Sequence, residues 1–387
     1  MRKIAANYVY SANGEPIKNG FIEVNEEGTI ISVQPLLKEE AHVEFYNGVL
    51  VPGFVNAHCH LELSHLHQKI KKLKSLTGFI RQVFDNRSIR QTNIPELIKK
   101  SDNQMFRQGI NVVGDISNTT NSIECKAKSN IRYHTFIEIP GTSNAEELIK
   151  KAKLVKDKFL AQGLSASFSP HSLYSATYSL LKNINNQNNG HLISLHNQEG
   201  IHEQEFIENG TGDMANLFKD YGIPFPDYVP AGMPVAKLLT ALLAKDIPVL
   251  LVHNTHTTDI DLHTYKEHFN RVTLVLCPAS NLYIEGKMPP VSRLVASGNT
   301  LALGTDSLAS NTKLSILYEM QLIAQHFPRI SFTELIRWAT INGASALGVD
   351  EKYGSIAPGK SPGINLIENF DFRNMNISFG STVRKLI

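Results

Sequence analysis

At 387 residues, with 42% hydrophobic and 19% charged side chains, the chain can bury a large core, and this composition excludes a disordered protein. A formal net charge of +2 excludes a whole-molecule field that would gather nucleic acid, and the local run Lys69, Lys71, Lys72 and Lys74 reads as solvated surface. Cys59, Cys125 and Cys277 are too few and too widely spaced for a disulfide framework or a Cys-x-x-Cys zinc ribbon, which points to a reducing compartment. Met1 to Lys18 carries neither a signal-peptide core nor a membrane-length apolar stretch, so the expectation is cytoplasmic residence and no membrane partner.

Residues 1 to 50 read as short strands with turns at Asn13-Gly14 and Glu27-Gly28. Eight apolar, β-branched runs follow, separated by segments of helical spacing: Val51 to Ala57, Ile110 to Ile116, Tyr133 to Ile139, Ser165 to Ser169, Leu192 to Leu195, Pro248 to Val252, Val272 to Leu276 and Thr300 to Gly304. Strand and helix alternating at this count predict an α/β fold, a (β/α)8 TIM barrel over 51–348, because right-handed crossovers bury both faces of each strand. The open doubly wound sheet is the competitor, but no Gly-x-Gly-x-x-Gly follows the first strand. Residues 349–387 join 1–50 in one expected small composite domain, a β-sandwich formed by both chain ends.

In an extended chain residues two apart share a face, so His58 and His60 can aim ring nitrogens at one point while Cys59 faces away. Imidazole pairs of this kind suit zinc or iron(II). Further polar residues sit where the other strands end: Ser169-Pro-His171, His196-Asn-Gln-Glu199, His253 and Gly304-Thr-Asp306-Ser307. Barrel enzymes build their sites at this carboxyl end.

Pro52-Gly-Phe-Val-Asn-Ala-His-Cys-His60, His196-x-x-Glu199, His253, Gly304-Thr-Asp306 and Asn342-Gly-Ala-Ser-Ala-Leu together resemble the amidohydrolase superfamily, in its mononuclear deaminase and chlorohydrolase branch. Ser169-Pro-His-Ser-Leu-Tyr174, Cys277-Pro-Ala-Ser-Asn281 and Gly354-Ser-Ile-Ala-Pro-Gly-Lys360 are similar to that branch as well. The resemblance implies one divalent ion, zinc first and iron(II) as the alternative, held by His58, His60, His196 and Asp306. Glu199 and His253 are then the catalytic pair, with Asp306 as proton acceptor. A binuclear centre would require a lysine after the fourth strand, and Ser165 to His171 contains none.

These residue types suit hydrolytic deamination. A divalent ion lowers the pKa of a water, Asp306 accepts its proton, Glu199 protonates a ring nitrogen and then the departing amine, and His253 stabilises the alkoxide. Other assignments stay open: His253 as a support to the metal ligands, His171 as substrate contact or buried brace, and Glu62 as substrate contact or helix start. Ser307, Ser310 and Asn311 are expected on the far wall and Asn281 as a loop brace, while Arg81, Arg87 and Arg90 lie where a polar substrate tail could be gripped, although exposed arginines are mostly solvated surface. His60-Leu-Glu-Leu-Ser64 is similar to the corresponding segment of aminofutalosine deaminases, which implies a small-molecule substrate, an adenine nucleoside derivative such as aminodeoxyfutalosine, with Glu62 at the sugar. Cyclic-amide hydrolysis or dechlorination on the same site is the enzymatic alternative, and a metal-free scaffold protein is the alternative of another class. A homodimer is the commonest assembly, and nucleic acid is not an expected partner. Two segments depart from the family pattern: Gly359-Lys-Ser-Pro-Gly-Ile364 lacks an aspartate, and Tyr283-Ile-Glu-Gly-Lys-Met288 differs from a Gly-rich loop.

Overall fold

The computed structural model describes residues 1–37, 41–87, 93–188 and 190–387. Its strands fall into two groups. The first is one six-stranded sheet of β1 (Arg2–Val9), β2 (Ile17–Val24), β3 (Ile30–Pro35), β4 (Val43–Pro52), β13 (Ile364–Glu368) and β14 (Thr382–Lys385), in the order β14-β13-β4-β1-β2-β3. Both chain ends contribute, because β13 runs antiparallel to β4 in the register Leu366 opposite Leu50. Ile4, Ile22, Val24, Leu50 and Ile364 form a small apolar core on it. A sandwich was expected here; the described strands hydrogen-bond as a single sheet instead.

The second group is eight parallel strands in two four-stranded sheets. One is β5 (Phe54–Cys59), β6 (Ile110–Ser117), β7 (Arg132–Ile139) and β8 (Ser165–Pro170); the other is β9 (Ile193–Asn197), β10 (Val249–His253), β11 (Val272–Leu276) and β12 (Thr300–Leu303). Neighbours in each sheet are neighbours in sequence, and helices such as Ala145–Ala161 and Asp259–His268 make the crossovers. Every residue of β5, β9 and β10 is buried, as expected for strands covered on both faces. The two sheets meet along both seams. Isolated parallel bridges join Cys59 to Asp306 and Ser172 to His196, and the Ser169 hydroxyl accepts from the Ser194 N–H at 2.7 Å. This is an α/β fold whose parallel strands fit a barrel.

Seven of the eight predicted runs match these strands to within two residues at either end. Val51 to Ala57 does not, since Val51 and Pro52 complete β4 and β5 begins at Phe54. The break falls at Gly53, where a Cβ would lie 2.2 Å from Asn111 Oδ1 and 2.4 Å from the Pro362 carbonyl. Only a residue without a side chain lets the chain pass between the two sheets there.

The segment lacking the family aspartate docks through its backbone. The Gly359 N–H donates to the Ile30 carbonyl at 2.9 Å, and the Ile30 N–H to the Lys360 carbonyl at 2.8 Å. No helix among the described residues is long and apolar enough to cross a membrane.

Candidate metal and catalytic site

The carboxyl ends of β5, β9, β10 and β12 converge. His58 and His60 leave β5 with their Nε2 atoms 3.1 Å apart, and Asp306 Oδ1 lies 3.7 Å from the first and 3.4 Å from the second. His196, on β9, packs its ring 4.9 Å from that of His58 and 5.3 Å from that of His60. The backbone holds this geometry across a seam. The Thr305 and Asp306 N–H groups both donate to the His58 carbonyl, at 3.0 and 3.1 Å, while Asn56 and Thr305 exchange two further hydrogen bonds of 2.7 and 3.0 Å. Gly304 permits the approach, since a Cβ there would stand 3.0 Å from both the Cβ and the carbonyl oxygen of His58.

The donor set fits a cation. Donors bound at about 2.1 Å in a tetrahedron stand about 3.4 Å apart, the scale of these separations. Two facing imidazole nitrogens share at most one proton, and the buried His196 Nε2 has no hydrogen-bond partner. The opposite side of each ligand is braced: His58 Nδ1 faces the Ser194 hydroxyl at 3.3 Å, and Asp306 Oδ2 accepts from Ser280 at 2.7 Å and from Ser310. Burial and the neighbouring imidazoles push the pKa of His58 well below its ordinary value. Burial opposes ionisation of Asp306, yet His60, His253, His196 and the Ser310 hydroxyl together hold it down at about 2. His196 goes the other way, to about 10: burial lowers it, but the nearby carboxylates of Glu138 and Glu199 outweigh burial. A cation would take the place of that proton.

Glu199 stands between two histidines. Its Oε2 lies 3.5 Å from His196 Nδ1 and its Oε1 lies 3.5 Å from His253 Nε2, which is itself 3.1 Å from His196 Nδ1. The chain turns sharply to place it: Gln198 has φ of 46°, and its side chain is fixed by bonds to Asp261 (2.9 Å) and from Tyr265 (3.2 Å). His253, Asn254 and Asp306 also have positive φ, at 76°, 55° and 55°. Non-glycine residues in this region store strain, and four of the eleven among the described residues lie at these strand ends. Glu199 is held below the ordinary carboxylate range: burial raises its pKa, but His253 and His196 outweigh it.

Above these groups opens a cavity of about 310 Å³. His171 and Ser307 line it, and the His171 Nδ1 is engaged by the Ser175 hydroxyl at 2.8 Å. Glu62 is committed elsewhere: Oε2 accepts the Asn118 and Thr119 N–H groups, both at 3.1 Å, and Oε1 accepts the Thr119 hydroxyl at 2.9 Å. Asn311 donates to the Thr305 carbonyl and to Glu319, both at 2.9 Å, so it braces the strand end. Asn281 also braces, donating to the Thr255 hydroxyl. Arg81 turns to Asp220 at 2.6 Å instead of gripping a tail; Arg90 and the Arg87 side chain lie outside the described residues. In the variant loop, Glu285 accepts the Leu76 N–H at 2.7 Å and the Ile201 N–H at 3.4 Å, joining the starts of the helices Leu76–Arg87 and Ile201–Asn209.

Three supporting groups carry no signal in the sequence. Glu138 ends β7 against His196, Asn118 beside it lines the cavity, and Lys126 forms a fully buried ion pair of 2.6 Å with Asp115. Asp115 also accepts the Leu61 N–H at 2.8 Å, which fixes the chain directly after His60. Lys126→Met therefore strands a buried carboxylate under the site, and about 3–5 kcal/mol of stability should be lost. A fall in the urea midpoint at unchanged slope measures it.

An α/β fold carrying a three-histidine, one-aspartate cluster with a glutamate beside it defines a metal-dependent hydrolase architecture. Residues 49–383 match the model of the Amidohydrolase family, and the chain belongs to that family. An adenosine deaminase of Helicobacter pylori is 26% identical over 346 residues, 85% of this chain and 81% of that protein. An aminodeoxyfutalosine deaminase of a Nitratiruptor species is 26% identical over 358 residues, covering 88% and 84%. The solved Helicobacter pylori aminofutalosine deaminase in complex with methylthio-coformycin aligns with a TM-score of 0.82 at 25% identity, over 98% of this chain and 93% of that one.

Proposed function

We propose that the chain is a metal-dependent hydrolytic deaminase that replaces the exocyclic amine of an adenine nucleoside derivative with a carbonyl, releasing ammonia. The observation that carries this reading is the convergence of His58, His60, His196 and Asp306 with Glu199 and His253, four of which, His60, His196, Glu199 and Asp306, line one cavity. When bound, one divalent ion, zinc by its nitrogen-rich ligand set, supplies Lewis acidity and an acidified water. Asp306 Oδ1 accepts a proton there. Glu199, ionised before substrate arrives, would take one of that water's two protons and deliver it to the ring nitrogen, and would pass the second, the one accepted by Asp306, to the departing amine. His253, kept neutral by burial, donates a hydrogen bond to the oxygen added at the ring carbon. His171 and Ser307 contact the substrate, whereas Glu62 and Asn311 act through the loops they hold.

The cavity's outer wall supports an apolar substituent on the sugar. Phe79, Val83 and Phe84 face it from one helix, Leu217 and Phe218 from another, and Ile223 from the turn after it. Burying one methylthio group should favour methylthioadenosine over adenosine about tenfold in kcat/KM. The test is ammonia release from adenosine, methylthioadenosine, adenosylhomocysteine, aminodeoxyfutalosine, guanine and cytosine. Turnover of none of the adenine compounds would sink the assignment; chloride or a ring-opened carboxylate from other substrates would replace it.

The same reading takes 51–348 as a closed (β/α)8 barrel and residues 1–50 with 349–387 as one composite unit, although β4 crosses that boundary by two residues. It places the enzyme in the cytoplasm, as a homodimer, with a small molecule as its partner and neither nucleic acid nor membrane.

A further inference from the structure

We propose that Glu138 binds a hydroxyl of the substrate's sugar, the role expected of Glu62. The inference rests on the adenine-nucleoside reading above. Both Glu62 oxygens are engaged, since together they accept three hydrogen bonds from Asn118 and Thr119 that turn the carboxylate toward that loop. What Glu62 does is hold Asn118, whose side-chain amide donates to Glu138 Oε2 at 3.1 Å and to the Glu138 carbonyl at 3.0 Å. This pins one Glu138 oxygen and leaves the other. Oε1 is buried without a hydrogen-bond partner, and its nearest ring nitrogen, His196 Nε2, stands 3.7 Å away, beyond hydrogen-bonding reach.

Glu138 and Asn118 both line the cavity that Glu199 and Asp306 border. A buried carboxylate oxygen without a donor is unfavourable, and a ligand hydroxyl supplies the missing donor with a charge-assisted bond. An adenine ring placed with its amine-bearing carbon over the ligand cluster has its sugar as the nearest source of hydroxyls. A site built to receive a hydroxyl rejects an analogue lacking it, because its own polar group is then left unpaired.

The rival role for the same residue is a cation ligand, since Glu138, His171 and His196 offer donor atoms within 4.8 Å of one another. One experiment separates the two. Zinc-loaded wild type and Glu138→Gln are assayed with adenosine, 2′-deoxyadenosine, 3′-deoxyadenosine and 2′,3′-dideoxyadenosine, with metal content and thermal midpoint measured on the same preparations. Wild type should prefer adenosine over the dideoxy compound by about a hundredfold in kcat/KM. Glu138→Gln should lose about thirtyfold on adenosine, mostly in KM, change little on the dideoxy compound, and keep one metal per chain and its thermal midpoint. If the variant keeps the wild-type preference, or the wild type shows none, the assignment to Glu138 is overturned while the deaminase reading stands. Loss of a metal ion per chain in the variant overturns it in favour of the cation role. Wild type inactive on every adenine compound removes the nucleoside reading itself, and the Glu138 role with it.

Discussion

Glu199→Gln should fold and load its metal normally yet turn over at least a thousandfold more slowly. The amide preserves the shape that fits 3.5 Å from His196 Nδ1 and 3.5 Å from His253 Nε2, and the backbone N–H of residue 199 still donates to Glu203 at 3.0 Å. What disappears is the capacity to gain and release a proton. Loss of a general acid–base group typically lowers rate by about 10² to 10⁴, and Glu199 is asked to act twice in one turnover. The effect should fall on kcat, with KM changing by less than about threefold, because the interaction it removes is made in the transition state. Steady-state kinetics with metal content measured on the same preparation give the result. A variant retaining more than a tenth of wild-type kcat would exclude Glu199 as the proton carrier. His253→Asn should be milder, since a hydrogen bond to the developing oxyanion is weakened and no proton transfer is lost.

Residues whose type and position both carry information were legible in the sequence. His58 and His60 stand out because two imidazoles at strand spacing follow an apolar run. His196, His253 and Asp306 stand out because each ends such a run, and the structure brings all five together. Their supports were hidden for a common reason: each acts through a partner distant in sequence. Asn56 reads as one polar residue in an apolar strand until Thr305 is seen 249 positions away, and Lys126 reads as a helix-surface lysine until Asp115 and the rings of Tyr133 and Phe159 enclose it. Glu62 was open between strand alternation and a helix start for a different reason. Strand alternation from His60 would have aimed it into the pocket, but the chain turns at once into the short helix Leu61–Leu66, and its carboxylate meets residues 118 and 119 instead. Arg81 follows the surface reading, since its side chain, on the helix bordering the cavity, pairs with the exposed Asp220.

Removing the metal should abolish turnover and lower stability together, and Asp306→Asn should reproduce both effects without a chelator. The His58 and His60 nitrogens face each other at 3.1 Å and His196 Nε2 has no hydrogen-bond partner, and all three rings are buried. Unpaired polar atoms in that setting destabilise the folded state, and an ion that engages them binds only when the strand ends are assembled. At a free concentration a thousandfold above Kd, binding adds about 4 kcal/mol to folding stability. Stripped protein should therefore melt at a lower temperature, and zinc should restore the melting midpoint and the activity with the same titration curve. In Asp306→Asn the Ser280 and Ser310 hydroxyls still find an acceptor oxygen, so the fold persists. The side chain loses its charge toward the ion and its capacity to accept a proton, two losses in one substitution. Zinc retained after dialysis should be far below one ion per chain, and activity should stay below about a thousandth of wild type even in excess zinc, where ligand loss is compensated by mass action but proton acceptance is not. Activity that recovers fully in excess zinc would confine Asp306 to metal binding and move proton acceptance to Glu199 alone.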